Sequence, residues 1–432
     1  FWAWNSKLDP EELRRQIRIF KQMGMGGFFM HSRVGMATPY LGKKWFECID
    51  ACRDEAEKQG MYAWLYDEDR WPSGAAGGLV TKDHKYRQRF LHCVWGKCAA
   101  DIETRVAALA APHQIGQYYS AKVDDSNPQV LDGEDFKALP SLPKKAPQGR
   151  MLVAFFEAEM APSSWYNGQT YLDTMNPDAV GKFIAETHEK YKRECGQEFG
   201  KAIPGIFTDE PSYGNVMGIR DQRPWTSCLP VKFKERYGYD LVEHLPELFF
   251  NIPGNDFSTA RYDYYRLCTD LFTAAFAQQI GEWCEKNHLE FTGHALYEDD
   301  MITQRAAIGD AMRFYEFQQL PGIDLLTEHS DHIDTAKQCS SVAHQLDRPN
   351  RLCEVYGCTG WDFGFAGHKA LGDWLQVLGI NFRVQHLAWY SMRGEAKRDY
   401  PASISFQSSW WPHYSAVEDY FARQRAILDP AK

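Results

Sequence analysis

The chain has 432 residues, more than one barrel of typical size needs and room for two ordinary domains. Hydrophobic residues make up 44% and charged residues 25%, the balance of a soluble globular protein with a sizeable core. The net charge of −10 argues against a nucleic-acid or anionic-membrane partner and is neutral about sugars.

In chain order, the first element is a helix. Asp9 can cap it, Pro10 suits its first position and Glu12 can close a capping box. Leu13, Ile17 and Phe20 fall on one face, and Gly24 ends it. A strand over 27–30 follows, ending in His31. The next helix carries Trp45, Ile49, Cys52 and Ala56 on one face and stops at Gly60. A second strand, 61–66, ends in Asp67-Glu68-Asp69.

The alternation then breaks. From about 87 to 165 the pattern shows no clear helix but two β-like runs, 90–95 and 151–156. Between them lie Asp124-Asp125-Ser126-Asn127-Pro128 and a Pro/Lys-rich stretch over 140–147. The segment reads as a β-rich insertion carried on a barrel loop, with a separate small domain as the alternative.

The alternation resumes at 170–173, taken as the third strand. Asn176 caps a helix that Pro177 opens, with Val180, Ile184, His188 and Tyr191 on one stripe. The fourth strand, 203–208, ends at Asp209-Glu210-Pro211. A long helical stretch covers 257–287. The fifth strand is 290–294, followed by a loop with Glu298. The sixth, 323–327, ends at Glu328-His329. The seventh is 351–353 with Glu354 at its end, and the eighth is 380–384 with Gln385-His386 at its end. Eight strands with helical crossovers make a parallel sheet, and closing it gives a (β/α)8 TIM barrel, an α/β fold. The division is then 1–86 for the first part of the barrel, 87–165 for the insertion and 166–432 for the remainder.

The positions of the polar residues carry the functional reading. His31, Asp67, Asp69, Asp173, Asp209, Glu210, His294, Glu298, Glu328, Glu354 and His386 fall at or just beyond predicted strand ends. In a barrel of this kind that is the face where active sites sit. One such acid is usually a helix cap; acids at so many strand ends are not. Carboxylates without a Cys or Ser nucleophile arrangement suit glycoside hydrolysis, where one acid protonates the leaving oxygen and another acts as base or nucleophile. They also suit a hard divalent cation.

Glu210 and Glu354, after the fourth and seventh strands, are the expected catalytic pair, with Glu298 and Glu328 as rivals. The plainer readings are a helix cap for Glu210 and a buried ion pair with an Arg such as Arg383 for Glu354. His31, Asp67, Asp69, Asp209, His294, Glu298, Glu328, Trp361 and His386 are expected around the substrate, and His329 is a further candidate. Aromatics reach 14%, and Trp4, Trp71, Trp361 and Trp389 are candidate sugar platforms or core residues.

The eleven cysteines form no CxxC, and no His pair completes a zinc pattern. Reduced, buried thiols are expected, which suits a cytoplasmic protein best. No apolar run reaches the length of a membrane span. The chain begins at Phe1 without an initiator Met and reads as a piece of a longer one.

Several motifs in order give the chain a resemblance to the family 106 glycoside hydrolases, the α-L-rhamnosidase family. They are Phe1-Trp2-Ala3-Trp4-Asn5, Met25-Gly26-Gly27-Phe28 and Trp71-Pro72-Ser73-Gly74-Ala75-Ala76-Gly77-Gly78. They continue with Arg236-Tyr237-Gly238-Tyr239-Asp240-Leu241, then Leu245-Pro246, and Gly379-Ile380-Asn381 leading to His386. The resemblance covers most of the chain outside 90–165. It implies an exo-acting hydrolase that removes a terminal deoxy-sugar with inversion, a possible calcium ion near the sugar, and further β-sandwich domains in the full protein. Thr208-Asp209-Glu210-Pro211 departs from the wording of the family at that strand. A barrel glycosidase for another sugar such as a galactoside, and a non-catalytic carbohydrate-binding barrel, are the alternatives. A metal-dependent amidohydrolase would need His-x-His after the first strand, and the chain has His31-Ser32-Arg33 there.

Overall fold

The computed structural model describes residues 1–428 except 215–218, 256, 329–331, 395 and 397–398. Eight parallel strands form one closed sheet. In chain order they are Trp2–Trp4, Gly27–Ser32, Tyr62–Tyr66, Gly205–Asp209, Glu290–His294, Leu320–Leu325, Leu352–Val355, and an eighth in two pieces, Phe382–Gln385 and Ala388–Trp389. The first piece of the eighth strand pairs with the seventh, and the second piece pairs with the first strand. Ala388 N donates to Phe1 O at 2.8 Å and Tyr390 N to Ala3 O at 3.0 Å, which closes the barrel.

Two strands differ from the sequence reading. The first barrel strand is Trp2–Trp4, too short a run to register by periodicity. Residues 170–173 are not a barrel strand; Leu172 makes only an isolated antiparallel bridge to Arg87. Their apolar character has another use. Tyr171 and Leu172 are buried beneath the loop at Gly74, where an added Cβ would lie 2.9 Å from Leu172 Cδ2. The two differences offset each other, so Glu210 still follows the fourth strand and Glu354 still lies on the seventh.

Alternation within the strands sorts side chains into two layers. Phe1, Ala3, Phe29, Trp64, Tyr66, Phe207, Leu320, Leu352, Val384, Leu387 and Trp389 fill the barrel interior. Trp2 and Trp4 face the helices instead, edge-on to Phe20 at 5.2 Å and to Trp45 at 4.9 Å. Burying rings of this size contributes about 1.5–3 kcal/mol each. Trp4 and Trp389 are therefore core residues.

The helices start and stop where their chemistry requires. The Asp9 side chain accepts from Glu11 N and Glu12 N, both at 3.0 Å, at the start of Pro10–Gln22. Glu12 closes no capping box there; it pairs with Arg15, two contacts of 2.7 Å. Helix Lys43–Gln59 ends at Gly60, whose φ of +62° favours glycine. Among the described residues no helix is long and apolar enough to cross a membrane.

The chain builds a second, six-stranded sheet, four strands of it between the third and fourth barrel strands and two between the fourth and fifth. Its order is Phe250–Asn251, Leu131–Leu139, Ala110–Asp124, Met151–Glu159, Arg89–Gly96, Gln222–Trp225. Its pairs are antiparallel except the one made by Phe250–Asn251. One helix, Ala99–Ala107, lies in this region, where the sequence showed none; it buries little beyond Ile102, so no apolar stripe marks it. Ile102 packs with Val94, Leu152, Ala154 and Phe156 in a small separate core.

Candidate active site

Four carboxyl groups and one imidazole meet at the C-terminal ends of the barrel strands. Asp209 is the last residue of the fourth strand and stands in register with His294, the last of the fifth. Asp324, on the sixth strand, stands in register with Glu354 on the seventh. Like charges directly opposite each other on neighbouring strands repel. Glu210 comes just after the fourth strand, at φ +49°, and its N–H donates to His294 O at 3.1 Å. A continued strand would turn Asp209 and Glu210 to opposite sides; the left-handed turn at Glu210 breaks that alternation, and both residues line one cleft.

His294 is the hub. Its Nε2 lies 3.3 Å from Asp209 Oδ1 and 3.8 Å from Asp324 Oδ2, and its Nδ1 lies 3.7 Å from Glu354 Oε2. Burial alone would strip its proton, but the Asp209 contact and the Asp324 and Glu354 charges outweigh burial and hold its pKa well above the usual histidine value. The acids move the same way for a different reason. Burial, with Asp209 adding, pushes Glu210 up to about 7, and His294 restrains it. Burial also pushes Glu354 up to about 8, again restrained by His294 and raised by Asp209. Asp324 is raised well above the carboxylate range by burial and by Glu354. Asp209 is held from the side by Tyr66, whose hydroxyl donates to Oδ2 at 2.5 Å.

The cleft, about 80 Å³, is lined by Arg33, Trp71, Leu326, Cys358, His386 and Tyr400 besides these acids. Arg33 is gripped on every side. Its Nε and Nη2 donate to Asp399 at 2.6 and 3.1 Å, its Nη1 lies 2.8 Å from His31 Nε2, and its plane sits 4.2 Å over the Trp71 ring. His31 is pushed well below its usual pKa by burial and then by Arg33, so it is neutral and Nε2 accepts from Arg33. His386 is likewise neutral, through burial and then Arg33, with Nε2 3.7 Å from Glu354 Oε1.

Of the expected residues, Glu210, Glu354, Asp209 and His386 line the cleft, and His294 lies within ion-pair distance of two of them. Asp67 is buried and accepts from Ser73 Oγ at 2.5 Å. Asp69 accepts from Ser32 Oγ at 2.9 Å and Asn167 Nδ2 at 3.1 Å. Glu298 is buried and accepts from Ala295 N at 2.9 Å and Asp324 N at 3.3 Å, tying together the ends of the fifth and sixth strands. Glu328 is exposed, and Trp361 stands at the surface edge-on to Trp389 at 5.7 Å. None of Asp67, Asp69, Glu298, Glu328 and Trp361 lines the cleft. His329 lies outside the described residues. Arg383 pairs with Glu418 at 2.9 Å rather than with Glu354. Sequence reasoning missed Asp324, Arg33 and Tyr400. For Asp324 a signal existed, an acid within an otherwise apolar strand.

Two triads bring one donor atom each within 4.8 Å of one another: Asp209, His294 and Glu354, and Glu210, His294 and Asp324. Calcium takes six to eight oxygen ligands. Both triads put the His294 ring nitrogens where oxygens are wanted. The residues present do not fit a calcium ion at that point.

A (β/α)8 barrel with a buried acid cluster at its C-terminal end is a class with many members. A family model described as alpha-L-rhamnosidase, glycoside hydrolase family 106, matches residues 150–431, more than half of the chain. The chain belongs to that family. Among solved structures it is similar to a rhamnosidase from Novosphingobium sp. PP1Y, with a TM-score of 0.72 and 14% identity, over 100% of this chain and 59% of that one. At that identity the likeness speaks for the fold, and the chain spans about three fifths of the length of the rhamnosidase. An endo-beta-1,4-mannanase from Thermotoga petrophila aligns at a TM-score of 0.44 and 7% identity, over 100% of this chain and 77% of that one. No curated protein matches.

Proposed function

We propose that the chain is the catalytic barrel of a glycoside hydrolase that removes a terminal sugar, α-L-rhamnose, from a glycan, with Glu210 and Glu354 as its acid–base pair. The observation that carries this is the meeting of both acids in one cleft at the C-terminal end of the barrel, each pushed up to about 7 or 8. A glycosidase needs one carboxyl group protonated to assist the leaving oxygen while another accepts a proton or attacks. Burial, with the Asp209 charge adding, supplies that state: one proton stays on the pair near neutral pH. His294 balances the charge of the member that ionises. Trp71 offers a ring against an apolar sugar face, and Arg33 and His386 offer polar contacts to hydroxyl groups. Family membership supports the sugar. No step in this reading passes through a metal.

The test is turnover of 4-nitrophenyl α-L-rhamnoside beside a panel of other nitrophenyl glycosides, each with and without EDTA. Activity on the rhamnoside that survives chelation is the expected result. Activity on a galactoside or another sugar alone would keep the acid pair and discard rhamnose. Loss on chelation, restored by calcium, would overturn the metal-free chemistry.

A further inference from the structure

Glu68 is a buried acid that the chemistry above leaves unused. It is 1% exposed, and among the described residues no Lys, Arg or His forms an ion pair with it. Its partners are backbone amides. Oε1 accepts from Asp69 N at 2.9 Å and Gly77 N at 2.6 Å; Oε2 accepts from Gly74 N and Ala76 N, both at 2.8 Å. Four N–H groups converging on two oxygens make a nest shaped for an anion. The loop that supplies them can take this path only with glycine at certain points. At Gly78, with φ +84°, a Cβ would lie 2.5 Å from Tyr166 O. This accounts physically for the Trp71-Pro72-Ser73-Gly74-Ala75-Ala76-Gly77-Gly78 motif.

The loop reaches the cleft twice. Trp71 lines it, with Arg33 on its face and the Trp165 ring edge-on at 4.9 Å. Ser73 N donates to Asp209 O at 2.7 Å, and Ser73 Oγ accepts from Asp209 N at 2.8 Å. We propose that Glu68 is a positioning residue: by gathering the amides of residues 69, 74, 76 and 77 it sets where Trp71 stands as the wall of the cleft. This rests on reading the cleft as the sugar site. Burial pushes Glu68 up to about 7 against the pull of those four amides.

Glu68→Gln is the test, because an amide NH2 in place of one oxygen faces two backbone donors. Glu68→Asp is its companion, retaining the charge but shortening the reach. Hydrogen exchange of the peptide over 69–78 is expected to speed up at least tenfold in Glu68→Gln, with other segments unchanged. On the glycoside that the wild type turns over, KM should rise about tenfold while kcat stays within about threefold, since Glu354 lies on its own strand and Glu210 N–H is held by His294 O. Glu68→Asp should recover part of the KM. Unchanged exchange would overturn the proposal, and so would a faster-exchanging loop with unchanged KM, or a fall in kcat alone. If the wild type turns over no glycoside, the proposed activity fails on its own. The wall is then read from the Trp71 fluorescence, taken as the difference from a Trp71→Phe variant in each background. A red shift in Glu68→Gln sustains the positioning role, and an unshifted emission overturns it.

Discussion

The two ends of the barrel bury charge in opposite ways. At the N-terminal end of the strands lies the larger cavity, about 1020 Å³, lined by Phe1, Tyr62, Trp64, Phe382, Arg383 and Glu418 among others. There the cation Arg383 is matched by an acid. Arg383 pairs with Glu418 at 2.9 Å and lies 3.6 Å over the Phe421 ring, and Gln385 Nε2 donates to Glu418 Oε1 at 2.7 Å. At the C-terminal end the cleft is only about 80 Å³, yet it holds Asp209, Glu210, Asp324 and Glu354 together. On the proposed reading, volume therefore does not locate the chemistry in this molecule. A buried charge that is paired holds the fold; buried acids crowded against each other are poised to trade protons.

The largest effect expected from this contrast is on catalysis. Glu210→Gln and Glu354→Gln should each lower kcat/KM by about 10²- to 10⁴-fold, the usual worth of a general acid or base. The two should separate by leaving group. Loss of the acid hurts substrates with poor leaving groups far more than nitrophenyl glycosides, and loss of the base depresses both. Arg383→Met, at the other end, should leave kcat/KM within about twofold. Near-normal rates in both Gln variants would mean that the pair is misassigned.

Next in size is stability, where the two ends exchange roles. Glu418→Ala leaves the buried Arg383 without its carboxylate and should cost about 3–5 kcal/mol in urea unfolding. Asp324→Asn removes one of two opposed acids and should cost less than about 1 kcal/mol. Equal costs would erase the distinction between paired and crowded charge.

Much of this was legible in the sequence, and the gaps have physical causes. The alternation of apolar runs and amphipathic stripes showed the barrel, because a parallel strand needs a crossover before the next. Trp2–Trp4 escaped because three residues carry no period, and 170–173 looked like a strand because Tyr171 and Leu172 are apolar for packing under a loop. Acids at strand ends could be seen; which way each faces could not. Strand side chains alternate, and a one-residue difference in where a strand stops moves an acid into or out of the cleft. Asp67 thus turns to a hydroxyl partner and Glu298, in the loop beyond its strand, to backbone amides, while Asp324, one residue inside its strand, joins the cluster. The left-handed turn at Glu210 is set by tertiary contacts that no local pattern records.

The smallest expected effect is that of pH on stability, and it reaches several buried acids at once. Burial pushes Glu68, Asp173, Glu210 and Glu298 up to about 7 and Glu354 to about 8. In the unfolded chain the same groups lose their protons near pH 4. The folded protein therefore binds more protons between those limits, and its stability falls as pH rises through them. Buried histidines oppose this at lower pH: burial lowers His188 to about 3 and His368 to about 4, which favours the folded state as pH rises, but only until about 6.5, where an unfolded histidine has lost its proton too. Above that point the acids lower stability as pH rises, joined by His294, whose folded pKa is raised, and partly opposed up to about pH 8 by the Phe1 amino group, which burial lowers to about 5. The melting temperature read by calorimetry should thus drop by a few degrees between pH 6.5 and 8.5. Glu354→Gln and Glu298→Gln should flatten the slope, since each removes one titrating group, whereas Arg383→Met should lower the whole curve without changing its slope. A melting temperature that held steady or rose across this window would mean that these buried acids, Glu210 and Glu354 of the cleft among them, are already ionised and matched, as Glu418 is at the opposite end, and the contrast between the two ends would not survive it.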